Sequence, residues 1–456
     1  MRYSRIALRA ITPFALGLIG CVGPEPDVNV TQSLAHLAGD GDAIAYHVEG
    51  GPVDVGEAPG EVLELREAIR RSLRHDPGIQ AAISRVRLAQ AEAKQARLLP
   101  NPVLSVVFRF PESGGDATIE AGLAAELVSL LSRPGKVSAA DNRLRASAAS
   151  AVSVALDVIG EVKQRYVAVQ SLDAAQGALQ ERMQIVTRLL DLARSRLRAG
   201  EGSRLDVVTL DTQQVELEAE IADRQLELRE ERLVLARLLG EPSGSTNWRL
   251  MPWHVAEIKS LPEEKWISLA LQNRPEVQAQ RFELSALGAD LSISRFAPFD
   301  GAEGSVDAER DGGNWSVGPG LSVPLPVFDF GQARRDRARS ALEEGRHNLT
   351  RLQRQVIEET RRAYAGFTAS QENLVRIQDR LIPLAQQRLD LAENQFKAGQ
   401  VDVTGLLLAE QDLRAARIRL VELQRRNAEA LIRLQRAAGG FGESPSTVPA
   451  TIEASR

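Results

Sequence analysis

From about Pro134 to Ala199 the chain runs without a proline beyond its first turn. The stretch is built of Ala, Leu, Arg, Glu and Gln, a helix-forming mixture. At 1.5 Å per residue such a helix reaches about 100 Å, longer than any compact globule. A second stretch, Gln332 to Ala398, is broken only at Pro383, where a kink is expected. Glycine-marked reversals at Gly200 and Gly399 send the chain back through Arg204–Leu239 and Val401–Ala438.

These long helices belong to a repeat. The string Leu73-Arg74-His75-Asp76-Pro77 answers to Leu271-Gln272-Asn273-Arg274-Pro275, 198 positions on, and the same spacing joins Pro100 to Pro298 and Gln213 to Gln411. Shared Pro and Gly punctuation in one order points to internal duplication, with copies at 62–242 and 261–440, a linker at 243–260 and a tail at 441–456. Between the short helices and the long ones the hydrophobic period drops to two. In 103–127, Leu104, Val106, Phe108 and Phe110 share one face, as do Ile119, Ala121, Leu123 and Ala125 after a polar turn. In 301–323, Ala302, Gly304, Val306 and Ala308 face one way and Ser305, Asp307 and Glu309 the other, and Trp315, Val317, Leu321 and Val323 share the apolar side beyond a turn at 311–314. Each region reads as a β-hairpin, followed by long helices over 134–239 and 332–438. The fold class is mostly α with a small β part.

The returning helices carry coiled-coil seams. One runs Leu406, Ala409, Leu413, Ala416, Leu420, Leu423, Asn427, Ala430, Leu434 and Ala437. The other returning helix has two stripes, Leu205-Val208-Thr212-Val215-Ala219-Ala222-Leu226 and Leu210-Leu217-Ile221-Leu228-Leu235, and two stripes require two neighbours. From the helices alone, an elongated bundle and a hollow cylinder fit equally well.

The strands favour the cylinder. They are long enough to cross a bilayer as tilted barrel strands and alternate as lipid-facing strands do. Four cannot close a barrel, for which about eight is the practical minimum. An open sheet edge in lipid leaves backbone groups unpaired at several kcal/mol each, so strands that enter the membrane require several chains to share one barrel. Two small hairpins outside the membrane are the alternative. At the N-terminus, Arg2, Arg5 and Arg9 precede an apolar stretch, Ala10–Gly20, that is too short to span a bilayer. Residues 1–20 read as a signal peptide, and Leu18-Ile19-Gly20-Cys21 resembles a lipobox, which makes Cys21 the acylated (palmitate-bearing) first residue of the mature chain. Val22 rather than Asp points to the outer membrane by lipoprotein sorting. Residues 21–61 read as a lipidated tether.

These residues together resemble the TolC-type outer-membrane efflux protein family, through the lipobox, the Asp76-Pro77 and Arg274-Pro275 breaks, the run Leu321-Ser322-Val323-Pro324-Leu325-Pro326-Val327-Phe328-Asp329-Phe330-Gly331 and the Ala-Gly reversals. The Pro324–Asp329 stretch is most similar to the heavy-metal-efflux branch, and in the first copy Leu131-Ser132-Arg133-Pro134-Gly135-Lys136 departs from the family's Pro-Leu-Phe-Asp type run. The resemblance implies a homotrimer whose twelve-stranded barrel continues into the periplasm as a helical α-barrel. It also implies a periplasmic adaptor and an inner-membrane pump of RND type as partners, with outer-membrane lipid around the strands. The expected lipid-facing residues are Leu104, Val106, Phe108, Trp315, Val317 and Leu321. The candidate periplasmic gate is Arg204, Asp206, Asp402, Leu406 and Leu408, with helix capping as the alternative role for the two aspartates. A type I secretion duct and a lipidated coiled-coil scaffold without a pore are the alternatives.

Other function classes find little support. With 56 Lys+Arg against 61 Asp+Glu there is no broad basic field for nucleic acid. The five histidines are scattered and Cys21 is the sole cysteine, so neither a metal cluster nor a catalytic constellation is expected, and no cofactor.

Overall fold

The computed structural model describes residues 26, 28–37, 62–110, 112, 117–252, 261–311, 314–398, 400 and 403–440. The signal peptide, Cys21, Gly399, Asp402 and the 441–456 tail lie outside the described residues, as do most of the tether and part of the linker.

The tether contains a helix that the sequence reading left out, α1 (Val30–Leu37), which buries Val30 and Leu34. Next come β1 (Val62–Leu63), α2 (Leu65–His75) and α3 (Pro77–Arg97), then the hairpin β2 (Val103–Arg109) and β3 (Thr118–Glu126), and then α4 (Leu127–Arg198) and α5 (Arg204–Leu238). After β4 (Arg249–Leu250) the order repeats: α6 (Glu263–Asn273), α7 (Pro275–Ile293), a 3-10 turn (Ser294–Phe299), the hairpin β5 (Glu303–Asp311) and β6 (Asn314–Ser322), and α8 (Gln332–Arg376). A π-helical turn (Ile377–Leu381) leads into α9 (Ile382–Lys397), and α10 (Val403–Ala437) closes the series.

The 198-residue spacing has a geometric counterpart. α2 and α6 are both 11 residues long and end in extended residues with nearly equal dihedrals, Asp76 (φ −67, ψ 120) and Arg274 (φ −63, ψ 122), because a residue before proline is pushed out of the helical region.

Two expectations about the long helices need correction. α4 begins at Leu127, not at Pro134, and its 72 residues amount to about 110 Å. Pro134 is tolerated inside it, where the missing N–H costs one helical hydrogen bond. Nearby, the Ser132 hydroxyl donates to the Val128 carbonyl at 2.7 Å and the Arg133 guanidinium to the Arg97 carbonyl at 3.1 Å. In the second long stretch the irregularity lies at Ile377–Leu381 rather than at Pro383 itself. Pro383 has no N–H for the carbonyl four residues back, and the wider turn takes up the mismatch on its N-terminal side.

The described residues divide into two compact units, one drawn from the ranges 1–30, 82–151 and 275–353 and the other from 31–81, 152–274 and 354–456. The first unit holds the four-stranded sheet, fully antiparallel in the order β2-β3-β5-β6, so that β3 and β5 pair and join the two hairpins. In the same unit Arg97 and Asp141 pair at 2.7 Å and Gly135 packs so closely on Ile293 that a Cβ there would lie 2.6 Å from its Cγ1.

The second unit is helical. Tyr166 is fully buried, and its hydroxyl lies 2.9 Å from the Leu63 carbonyl and 2.7 Å from the Met251 carbonyl at the parallel β1-β4 pair. Trp266, Leu434 and Ala438 form a cluster with Tyr364 and Phe367, and Ala385, Leu413 and Ala416 pack with Ile382 and Leu389. The α10 seam is therefore inside the unit, and its polar member Asn427 accepts a hydrogen bond from Ser370 at 2.9 Å.

Candidate functional site

The register sorts the sheet into two faces. Val106, Ala121, Ala308 and Val317 stand in one row, with the row Leu104-Leu123-Val306-Pro319 beside it and Phe108-Ile119-Arg310-Trp315 on the other side. All six expected lipid-facing residues, Leu104, Val106, Phe108, Trp315, Val317 and Leu321, fall on this face and are exposed. Such a broad apolar surface is not left to water in a stable soluble protein. No described helix is long and apolar enough to cross a membrane.

The opposite face is polar and short-chained. Glu120 stands directly across from Glu309, Glu126 from Glu303, and Asp307 between Gly122 and Gly318. Arg109 pairs with Glu120 at 2.6 Å. The Asp307 carboxylate accepts from the Ser305 hydroxyl at 2.7 Å and lies over Gly122 and Gly320, where a Cβ would come within 2.6 and 2.7 Å of its oxygens. Glycine at these two positions makes room for the acid. Val103 and Val107 are the apolar exceptions on this side. The sequence reading found Ser305, Asp307 and Glu309 but missed Glu120 and Glu126, although both lie on the alternation opposite Ile119, Ala121, Leu123 and Ala125.

On α5 the two apolar stripes have different fates. Leu210, Leu217 and Leu235 are buried, Leu210 in a cluster with Leu190 and Leu407 and Leu217 in one with Leu179 and Val186. The stripe through Leu205, Val208, Thr212, Val215, Ala219, Ala222 and Leu226 is exposed throughout, Leu205 at 72%. Within one chain only one of the two expected neighbours is present.

At the first reversal Gly200 takes φ +79, the Glu201 N–H donates to the Arg196 carbonyl at 2.9 Å, and the Ser203 hydroxyl caps α5 by accepting from the Leu205 N–H at 3.0 Å. The cap is thus Ser203, and Asp206 sits exposed in the first turn beside exposed Arg204. At the second reversal the Gln400 N–H donates to the Gln395 carbonyl at 2.9 Å, the same six-to-one bond. Of the leucines there, Leu406 is half-buried, Leu407 packs against Leu190 and Leu210, and Leu408 is exposed. Just above, Gln411 donates to Gln213 at 2.9 Å, so residues matched by the 198-residue spacing touch. Burial along α4 pushes the Lys163 amine down to about 8. Among the described residues no cluster of His, Cys, Asp and Glu is arranged to hold a metal ion.

A two-faced sheet with open edges, joined to helices of such length, defines an outer-membrane channel-type protein. The chain belongs to the outer membrane efflux protein family, whose model matches it twice, over residues 68–241 and 266–440. It is 25% identical over 403 residues to the cobalt-zinc-cadmium resistance protein CzcC of Cupriavidus metallidurans, covering 85% of this chain and 92% of that protein. It is also 25% identical to the pyoverdine export outer membrane protein OpmQ of Pseudomonas aeruginosa, covering 84% of this chain and 86% of that protein. Among solved structures, VceC from Vibrio cholerae superposes with a TM-score of 0.67 at 20% identity (82% of this chain, 96% of that one) and CusC with 0.68 at 19% (88% and 99%), likenesses of fold.

Proposed function

We propose that three copies of this chain assemble into the exit duct of a tripartite efflux pump. Their twelve strands close a barrel through the outer membrane, and their long helices continue it into the periplasm. The observation that carries this reading is the sheet: one face largely apolar with its large side chains mostly exposed, the other acidic and small-chained, and both edges open. Closure by neighbouring chains resolves the edges, and the exposed α5 stripe is the matching helical surface. A periplasmic adaptor and an RND-type inner-membrane pump complete the machine. Cys21 carries the lipid. The two copies, 62–242 and 261–440, derive from one duplicated unit. The cargo is metal cations or small molecules, in line with the names of the two relatives and with the carboxylates Glu120, Asp307 and Glu309 on the inner face. The gate lies at the reversals, where Arg204, Asp206 and Asp402 become rings by symmetry and Leu406 and Leu408 flank them.

Planar-bilayer recording with purified protein, paired with native mass spectrometry, tests this reading. Stepwise conductance from trimers is expected, and Cys21→Ser is expected to stay embedded in the outer membrane. A protein that gives no conductance and becomes soluble on Cys21→Ser is instead the lipidated scaffold. Asp206→Ala raises open-state current if the ring gates, whereas a loss of thermal stability at unchanged conductance assigns it to the helix end.

A further inference from the structure

The apolar face of the sheet is too short for the membrane that the proposed function gives it. Arg310 marks its outer border, and from that row to Leu321 there are three row intervals. Three intervals are about 20 Å along the strands, or about 15 Å of thickness at a tilt near 40°, against an apolar band of about 25 Å in outer-membrane barrels. Counting Phe110 as a further row beyond Arg310 still leaves the face at about 20 Å. Arg310 borders the face towards the hairpin turns, so the end where the strands meet the helices is the one at which described residues can extend it.

At that end β6 leaves the sheet through residues 323–331, and these are apolar in step with the face they extend: Leu321, Val323, Leu325, Val327. Leu325 is 81% exposed and Phe328 94%. They are not the loose side chains of an unstructured loop. The Asp329 carboxylate accepts from the Gly331 N–H at 2.8 Å, Gln332 from the Phe330 N–H at 2.9 Å, and the Arg335 guanidinium donates to the Phe330 carbonyl at 2.8 Å. Arg334 ties the loop to the 3-10 turn by bonding both Asp300 and Asp329. The loop's own polar atoms hold its backbone while its apolar side chains are turned outward. Immediately beyond, Arg335 and Arg337 are exposed and have no carboxylate partner among the described residues.

We propose that residues 323–330 are a lipid anchor. Leu325, Val327 and Phe328 enter the acyl boundary of the leaflet on the helix side, and Arg335 and Arg337 meet the phospholipid phosphates at its surface. This rests on the strands being in the membrane, and the loop completes the apolar belt that they leave short. The arrangement of apolar side chains followed by two exposed guanidinium groups, Arg337 and the remaining N–H donors of Arg335, matches the order of acyl chain and phosphate at a phospholipid interface.

The test uses the full chain carrying Cys21→Ser, so that an introduced thiol is the sole one, reconstituted in vesicles of phosphatidylethanolamine and phosphatidylglycerol. An NBD fluorophore is attached at Phe328→Cys and, as a second variant, at Leu325→Cys, with Val317→Cys and Asp307→Cys as references for the strand faces. Doxyl groups placed near the lipid headgroup are expected to lower emission at 328 and 325 by about two-fold, while iodide in the water has little effect. At 317 the deep doxyl position quenches, and at 307 only iodide does. Quenching by iodide but not by doxyl at 328 and 325, with 317 still quenched by doxyl, overturns the anchor and leaves the barrel standing. Loss of doxyl quenching at 317 as well overturns the barrel itself. Shielding of 328 and 325 from both quenchers, relieved when the oligomer is dissociated, assigns the loop to a neighbouring copy and also overturns the anchor.

Discussion

The two halves of the chain turn from strand to helix in opposite ways. In the first, Glu126 ends β3 and Leu127 already belongs to α4, with no linker between them. In the second, β6 ends at Ser322 and α8 begins at Gln332, leaving a nine-residue connection. The difference comes down to where the prolines fall. Pro324 and Pro326 follow the strand at once and force the residues before them into extended conformations, so no helix can start there. Pro134 comes eight residues into its helix, too late to prevent it. A repeat can therefore keep its order of elements while a shift of a few proline positions turns one junction into a helix and the other into an exposed loop.

The largest expected effect asks whether both hairpins meet the same surroundings. Val106 and Val317 lie in one row, so Val106→Arg and Val317→Arg are each expected to cost about 2–4 kcal/mol per chain if that row faces lipid near mid-bilayer. The yield of assembled oligomer from outer-membrane vesicles is the measure, with Ser105→Arg on the polar face tolerated. A cost at one valine and not the other breaks the equivalence of the halves. Next, Gly331→Ala introduces a side chain at φ +71 with a Cβ 2.9 Å from the Pro298 Cδ, and is expected to lose about 1–3 kcal/mol in thermal melting followed by circular dichroism. Its counterpart Gly135→Ala keeps a helical backbone and presses only on Ile293, so a loss nearer 1 kcal/mol is expected. Equal losses would mean that the looped junction is no more constrained than the helical one.

Pro134→Ala sharpens the same contrast from the other side. It restores a helical hydrogen bond and is expected to raise stability by about 1–2 kcal/mol, whereas Pro326→Ala, in a loop, is expected to gain nothing. The smallest effect separates matched residues of the long helices. Lys163 corresponds to Arg361, which is exposed and pairs with Glu263 at 2.6 Å. Burial holds Lys163 near 8 against 10.5 in the unfolded chain, so between those values the unfolded chain binds the proton that the folded chain has released. Stability should climb as pH rises from 8 through 10.5. Lys163→Met is expected to flatten that rise and to add about 1 kcal/mol at pH 7, read as melting temperature against pH. An unchanged slope would show that the amine is solvated.

The repeat, the hairpins and the α10 seam were legible because each is written in local spacing: 198 residues between punctuating prolines, period two in the strands, steps of three and four in the helix. The start of α4 was not, since Pro134 is a strong local breaker signal and its tolerance depends on the helix continuing on both sides of it. On α5 two apolar stripes were visible, but which one the chain covers itself depends on where α4 and α10 run. In the candidate site, the residues that share the apolar sheet face followed from alternation alone. The placement of Glu120 opposite Glu309 did not, because it depends on the pairing of β3 with β5 across almost two hundred residues. The cap of α5 fell to Ser203 rather than Asp206 because the helix starts directly after the serine.

The strand order has a consequence for mixed populations of this protein. With β2 and β6 at the edges, copies that share one orientation in the ring proposed above cannot close against a like edge of a neighbour. Every junction of a ring sets the first half of one chain beside the second half of the next, a head-to-tail contact. A chain damaged at either edge then spoils a junction it shares with an intact neighbour. In a ring of three, a cell making sound and edge-defective chains in equal amounts keeps only about one ring in eight free of the defect, so such an allele would act dominantly over the sound one.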